Sequence, residues 1–337
     1  MITVKEIARL AGVSPKTAER ALAGTTKGIR RDARERAERV RRIAEARGYR
    51  PSELALALRR GRVQTIGFMT DILTDQFLAA AVETAMDEAA KIGYKIALQV
   101  VRFDRELTAA ALKGLLASGV EGVITSCRFD QLPPELMRTL KEQKYPFFTL
   151  CGRNGAGFSA AMPDYSEALP AAVNSLAAKG HKRITLCLFE GKEVDNAANF
   201  RLFRECCFRC GAEPDCRLHG DRRQAVLPAE EKLPAVILYG KYSMRIFQDR
   251  CAELGHRPDA VGIYNEWTFA SAQAFGLHGI VLEQGEKSVR AAVRQIAAEI
   301  GGKEPRCIAL PARYVTGAEL RTLKVPDLAN QMLFDQQ

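Results

Sequence analysis

Lys16, Thr17 and Arg20 lie in the stretch GVSPKTAER, residues 12–20, directly behind a glycine, a serine and a proline. On a helix, Lys16 and Arg20 are four apart and share one face. An ammonium and a guanidinium so placed can enter one major groove, where an arginine takes guanine O6 and N7 together. Ser14 is a good N-cap, and Pro15 suits the first helical position, where its missing N–H costs nothing. The first turn of such a helix also offers free amides and the positive end of its dipole, which favour phosphate.

The surrounding residues must hold that helix in place. Thr3-Val4-Lys5-Glu6 fits a capping box, and Ile7, Leu10 and Ala11 then give one apolar face. Gly12 supplies the turn and Val13 packs inward. The second helix runs to about Ala23 with Ala18, Ala21 and Leu22 inward, and Gly24 stops it. A third, about 31–47, carries Ala33, Ala37, Val40 and Ala44 on one stripe. Two short helices around a glycine turn, backed by a third, make a helix-turn-helix.

Charge agrees with that reading. Residues 1–62 hold 17 Lys+Arg against 7 Asp+Glu, which is the whole +10 of the 337-residue chain; the remainder is neutral. A small basic module joined to a large neutral body is the footprint of a polyanion binder. No leader-like start and no uncharged run of membrane-spanning length is present, so a cytoplasmic protein without a membrane partner is expected. The nine cysteines fall mostly in apolar runs. Cys207 and Cys210 form a C-x-x-C with no second pair or histidine cluster to complete a zinc site, so no metal or other cofactor is expected.

The segments TVKEIARLAGVSPKTAERALAG and ARGYRPSELALALRRGRVQTIGF resemble the start of a LacI/GalR-type (lactose/galactose repressor family) transcription regulator, and the likeness continues over almost the whole chain. The resemblance implies base contacts from Pro15, Lys16, Thr17 and Arg20, with Thr3 and Ser14 on phosphates of a double-stranded operator. Ala18-Glu19 stands where Val-Ser is usual, and Arg30 replaces the usual cap of the third helix. It also implies a hinge helix over 51–62, with Leu58 of each copy wedging into the minor groove. The alternation of Leu54, Leu56 and Leu58 by itself suggests a strand, while Ser52 and the Ala/Leu/Glu/Arg content suit a helix. A greasy linker packed on the body is the alternative.

From Val63 apolar strands alternate with amphipathic helices in two series, which predicts two doubly wound parallel-sheet subdomains. The fold class is therefore an all-α helix-turn-helix head plus an α/β body, which the resemblance makes periplasmic-binding-protein-like. The expected division is 1–50 for the head, 51–62 for the hinge, 63–158 with 286–309 for the first lobe, and 159–285 with 310–337 for the second. Ligands of such sheets sit beyond the strand C-termini. Carried over from the family position by position, the effector contacts fall on Asp71, Phe77, Ser126, Arg153, Asp164, Asn199, Lys241, Asn265, Glu266 and Gln284. Asn199 replaces a family arginine, and Gly240-Lys241 replaces Asn-Asp.

No Walker loop, G-x-S-x-G or H-E-x-x-H occurs and the four histidines are scattered, so no enzyme is expected. The expectation is a DNA-binding regulator, a repressor, working as a homodimer with a small polar metabolite as effector, a sugar or sugar acid. A sugar-binding receptor without DNA work, or a regulator with a degenerate cleft, are the competing readings. The tail after Leu320 is too short for a heptad-repeat tetramer module.

Overall fold

The computed structural model describes residues 2–23, 31–49, 61–150, 157–189, 196–219 and 229–324. It divides into two compact units, 1–63 and 64–337.

Among its described residues the first unit has three helices: α1 (Val4–Ala11), α2 (Pro15–Leu22) and α3 (Arg31–Ala46). Thr3 and Glu6 form the reciprocal capping box, and Gly12 ends α1 at φ 64°, the left-handed conformation that glycine adopts without a Cβ penalty. Ile7, Ala8, Ala11, Ala18, Ala21, Ala37, Val40 and Ala44 make the core. Leu10, expected to face inward, is 42 % exposed, and Ala8 takes its place. At 100° per residue Ile7, Ala8 and Ala11 form one buried stripe, and position 10 lies beyond its edge.

The second unit holds two six-stranded sheets. Its strands and helices run β1 (Thr65–Thr70), α4 (Gln76–Lys91), β2 (Lys95–Val100), α5 (Arg105–Ala117), β3 (Gly122–Thr125), α6 (Pro134–Glu142), β4 (Phe147–Thr149) and β5 (Ser159–Asp164). They continue as α7 (Ala168–Ala178), β6 (Arg183–Phe189), α8 (Asn196–Arg209), β7 (Glu213–His219), β8 (Ala235–Tyr239), α9 (Lys241–Glu253), β9 (Asp259–Asn265), α10 (Ala270–Gln273) and β10 (Gly279–Glu283). The last elements are α11 (Gly285–Ile300), β11 (Cys307–Pro311), β12 (Arg313–Thr316) and α12 (Gly317–Thr322).

The first sheet is ordered β11-β5-β4-β3-β1-β2 and the second β12-β10-β9-β8-β6-β7. All pairings are parallel except that of β10 with β12. Alternate residues of one strand feed opposite cores: Ile66 and Phe68 join one cluster, Met69 another. This is the two-lobed α/β body expected, with one correction to its boundaries. β5, expected to open the second lobe, pairs with β4 (Phe148↔Ser159) and β11 (Cys307↔Ala160) in the first sheet. A βα pattern reveals a parallel unit without telling which sheet the strand joins. The chain therefore crosses between lobes after Asp164, at Gln284 and at Ala312. The hinge segment 51–60 lies outside the described residues. Among those described, no helix is long and apolar enough to cross a membrane.

Candidate nucleic-acid interface and effector cleft

In the head, Ser14 Oγ accepts the Thr17 amide at 3.2 Å and pairs with Thr17 Oγ1 at 2.8 Å, fixing the first turn of α2. Ser14, Pro15, Lys16, Thr17, Glu19 and Arg20 are exposed while Ala18 is fully buried. The helix thus presents one polar row and seats its other side in the core. Arg41 Nε donates to the Ala21 carbonyl at 3.1 Å, tying α3 to the end of α2. Among the described residues no carboxylate forms an ion pair with Lys16 or Arg20, so both charges face solvent. Thr3 is also exposed, its hydroxyl engaged with Glu6. Leu58 lies outside the described residues.

In the body, the expected effector residues that are described stand at strand C-termini or at the starts of the helices that follow. Asp71, just past β1, is 5 % exposed, and its Oδ1 has no hydrogen-bond partner. Burial raises its pKa, opposed by the Phe103 backbone, Arg128 and Cys127. Beside it Ser126 Oγ donates to Thr70 Oγ1 at 2.9 Å. Asp164 Oδ1 accepts the Ser166 amide at 2.9 Å, where the chain first leaves the sheet. Asn199 is half-buried in the first turn of α8, and Lys241 opens α9 with its side chain outside the described set. Arg153 lies outside the described residues altogether.

A model of the periplasmic binding proteins and sugar binding domain of the LacI family matches residues 63–219. The HTH-type transcriptional regulator PtxS of Pseudomonas putida is 29 % identical over 125 residues, 37 % of this chain and 36 % of that protein. The HTH-type transcriptional regulator pepR1 of Lactobacillus delbrueckii subsp. lactis is 28 % identical over 203 residues, 60 % of this chain and 59 % of that protein. The chain therefore spans less than two thirds of either relative. The Lac repressor dimer bound to operator and the anti-inducer ONPF superposes with a TM-score of 0.77 at 19 % identity, over 94 % of this chain and 98 % of that one. Residues 63–219 thus match the sugar-binding domain of the LacI family, and the fold is shared with the Lac repressor.

Beyond Ser126 and Asp164, further expected effector residues are engaged by the protein itself. Asn265 Oδ1 accepts the Trp267 amide at 3.1 Å and the Thr268 hydroxyl at 3.0 Å. Glu266 accepts the amides of Gly285 at 2.7 Å and Glu286 at 2.5 Å, and so caps α11. Burial nonetheless leaves its pKa raised. Gln284 Nε2 donates to the Pro311 carbonyl, and Tyr165 OH to Glu283, at the places where the chain changes lobe. Phe77 meets Trp267, ring centroids 5.6 Å apart.

Trp267 and Tyr165 are two residues of this region that the sequence reading did not single out. Trp267 carried a signal in being the sole tryptophan; Tyr165 carried none beyond following Asp164. Among the described residues no group of three or more His, Cys, Asp or Glu side chains could hold a metal.

Proposed function

We propose that this chain is a sequence-specific transcription regulator of the LacI/GalR family that binds operator DNA as a dimer and answers to a small polar metabolite. The observation that carries the reading is α2. It is capped by Ser14, anchored by Ala18, and presents Lys16, Thr17 and Arg20 on a head that, together with residues 51–62, holds the chain's entire net charge. Relatives whose names describe them as HTH-type transcriptional regulators, and a structural neighbour bound to operator, support it.

A second copy fits the edge of the first sheet. Met86 of α4, Val100 and Phe103 at the end of β2, and Leu107 of α5 are 52 %, 38 %, 54 % and 47 % exposed on adjoining elements. Apolar side chains gathered on one edge are what an isologous dimer buries.

For the effector, Asp71, Ser126 and Asp164 supply acceptors and hydroxyls suited to a polyol, and Arg153 and Lys241 in the sequence favour an acid group on it. A sugar or sugar acid meets both. Selection of bound sequences from a random DNA pool, with and without gluconate, glucose 6-phosphate and glucose, tests the whole reading. It should yield a near-palindrome whose recovery changes with one of the three compounds. A pool that never enriches would reject it.

A further inference from the structure

Trp267 leaves the second sheet in the loop after β9, yet it is 2 % exposed and belongs to the core cluster of the first lobe, with Phe68, Val289 and Val293. Its ring lies tilted at 46° against Phe77 at the start of α4. A Cβ placed on Gly285 would fall 2.9 Å from Trp267 Cζ3, so only glycine lets α11 begin beneath the indole. The neighbouring Glu266, also from the second lobe, holds the first two amides of α11, and α11 packs on β3, β4 and β5 of the first lobe. These amides are among those a helix leaves unpaired, and a carboxylate there meets the positive end of the dipole. Asn265 stiffens the loop that carries both residues. All of this surrounds Gln284, one of the three points where the chain changes lobe.

A ligand shifts a two-state equilibrium only by contacts that differ between the states. Here an aromatic contact and a carboxylate cap already join the lobes, and every partner in them belongs to the chain. A guest hydroxyl that drew on Glu266 would leave two half-buried helix amides unpaired, at a cost that offsets the new bond. A guest ring reaching Phe77 would meet the indole already there.

We infer that Glu266 and Trp267 form an intramolecular latch: positioning residues that set the spacing of the two lobes beside the crossover at Gln284, with Gly285 as their seat. The latch itself is read without DNA or ligand. Its bearing on effector control rests on the regulator reading above, whose failure would show as lack of operator enrichment and would leave the latch untouched.

Trp267 is the sole tryptophan, so its emission reports the latch directly. In the full chain, its acrylamide quenching should be at least fivefold weaker than that of N-acetyltryptophanamide. Glu266→Ala and Gly285→Ala should each raise the quenching at least threefold and enlarge the radius of gyration measured by X-ray scattering, while melting stays cooperative. Trp267→Phe, which keeps a ring against Phe77, should hold the radius near that of the unsubstituted chain. If Glu266→Ala does not fold, Gly285→Ala is read by the same criteria. Solvent-like quenching of the unsubstituted chain would overturn the latch. So would a variant that melts lower with quenching and radius unchanged, because that is a structural cap and nothing more.

Discussion

Glu88 Oε1 lies 2.6 Å from Arg294 Nε, and its other carboxylate oxygen lies 2.9 Å from Arg290 Nη1, so one buried acid of α4 gathers two arginines of α11. The acid is 3 % exposed. Burial alone would raise its pKa; bonds from Arg294, Lys91 and Arg290 overcome it and hold the value at about 2. The two helices thus meet through a charge cluster at the margin of the Val289–Ile296 core. Glu88→Ala removes charge-assisted hydrogen bonds while the arginines can still turn to water, and should cost about 2 kcal/mol in urea unfolding of the full chain. Because the folded pKa is depressed, the contribution is complete above about 4.5 and fades as the pH falls toward 2. Glu88→Gln should flatten that part of the acid-unfolding profile.

A second pH window belongs to the other lobe. Lys179 Nζ and His181 Nε2 lie 2.6 and 2.8 Å from the two oxygens of Asp259, and His278 Nε2 pairs with Ser175 Oγ at 2.8 Å. Burial, helped by Lys179, pushes the His278 pKa below its ordinary 6.5. A base depressed in the fold stays neutral there and takes up a proton more readily once unfolded. Its contribution is therefore complete above about 6.5 and declines below. Asp259 is held low by Lys179 and His181 against the effect of burial, and its own loss follows at lower pH. Melting temperature should be level from pH 8 to 7 and then fall through pH 6 and 5. His278→Gln should weaken the first part of that fall.

The head should depend on its first residue pair out of proportion to its size. Thr3 Oγ1 accepts the Glu6 amide at 3.3 Å and Glu6 returns the bond to the Thr3 amide at 3.1 Å. Thr3→Ala should destabilise the head by about 1 kcal/mol. Amide exchange in α1 to α3 should speed up about fivefold while exchange in the sheets stays unchanged.

Ligand preference follows from the unpartnered Asp71 oxygen and from two basic residues of the sequence, Arg153 and Lys241, the latter part of the Gly240-Lys241 pair in place of Asn-Asp. In a thermal-shift panel, a specific acid such as gluconate at 100-fold over its Kd should stabilise by about 2.7 kcal/mol. A shift with neutral sugars alone would reverse the acid preference.

What the sequence made legible was local. The Thr3–Glu6 box, the Ser14 cap with Pro15 behind it, and the alternation of strands and helices depend on neighbours within a few positions, and each stands in the structure. β7 escaped notice because Pro214, Asp215 and Arg217 break its apolar run; it is an edge strand whose charges are met by Arg183 and Glu231. The employment of Glu266 was hidden for a different reason. Its partners are amides 19 and 20 residues away across a change of lobe, and no spacing in the chain signals a carboxylate aimed at a distant helix end. Position 266 alone allows a ligand contact as readily as a cap.

Whether α2 reads DNA is decided by the salt dependence of operator binding by the full chain and by Arg20→Ala. Against the selected operator, log Kobs should fall linearly and steeply with log salt for the unsubstituted chain, as phosphate contacts release counterions. Arg20→Ala should bind about 1–3 kcal/mol more weakly and accept other bases at one position of each half-site, the mark of a base contact. A complex insensitive to salt, or an Arg20→Ala protein with undiminished affinity and selectivity, would contradict the account.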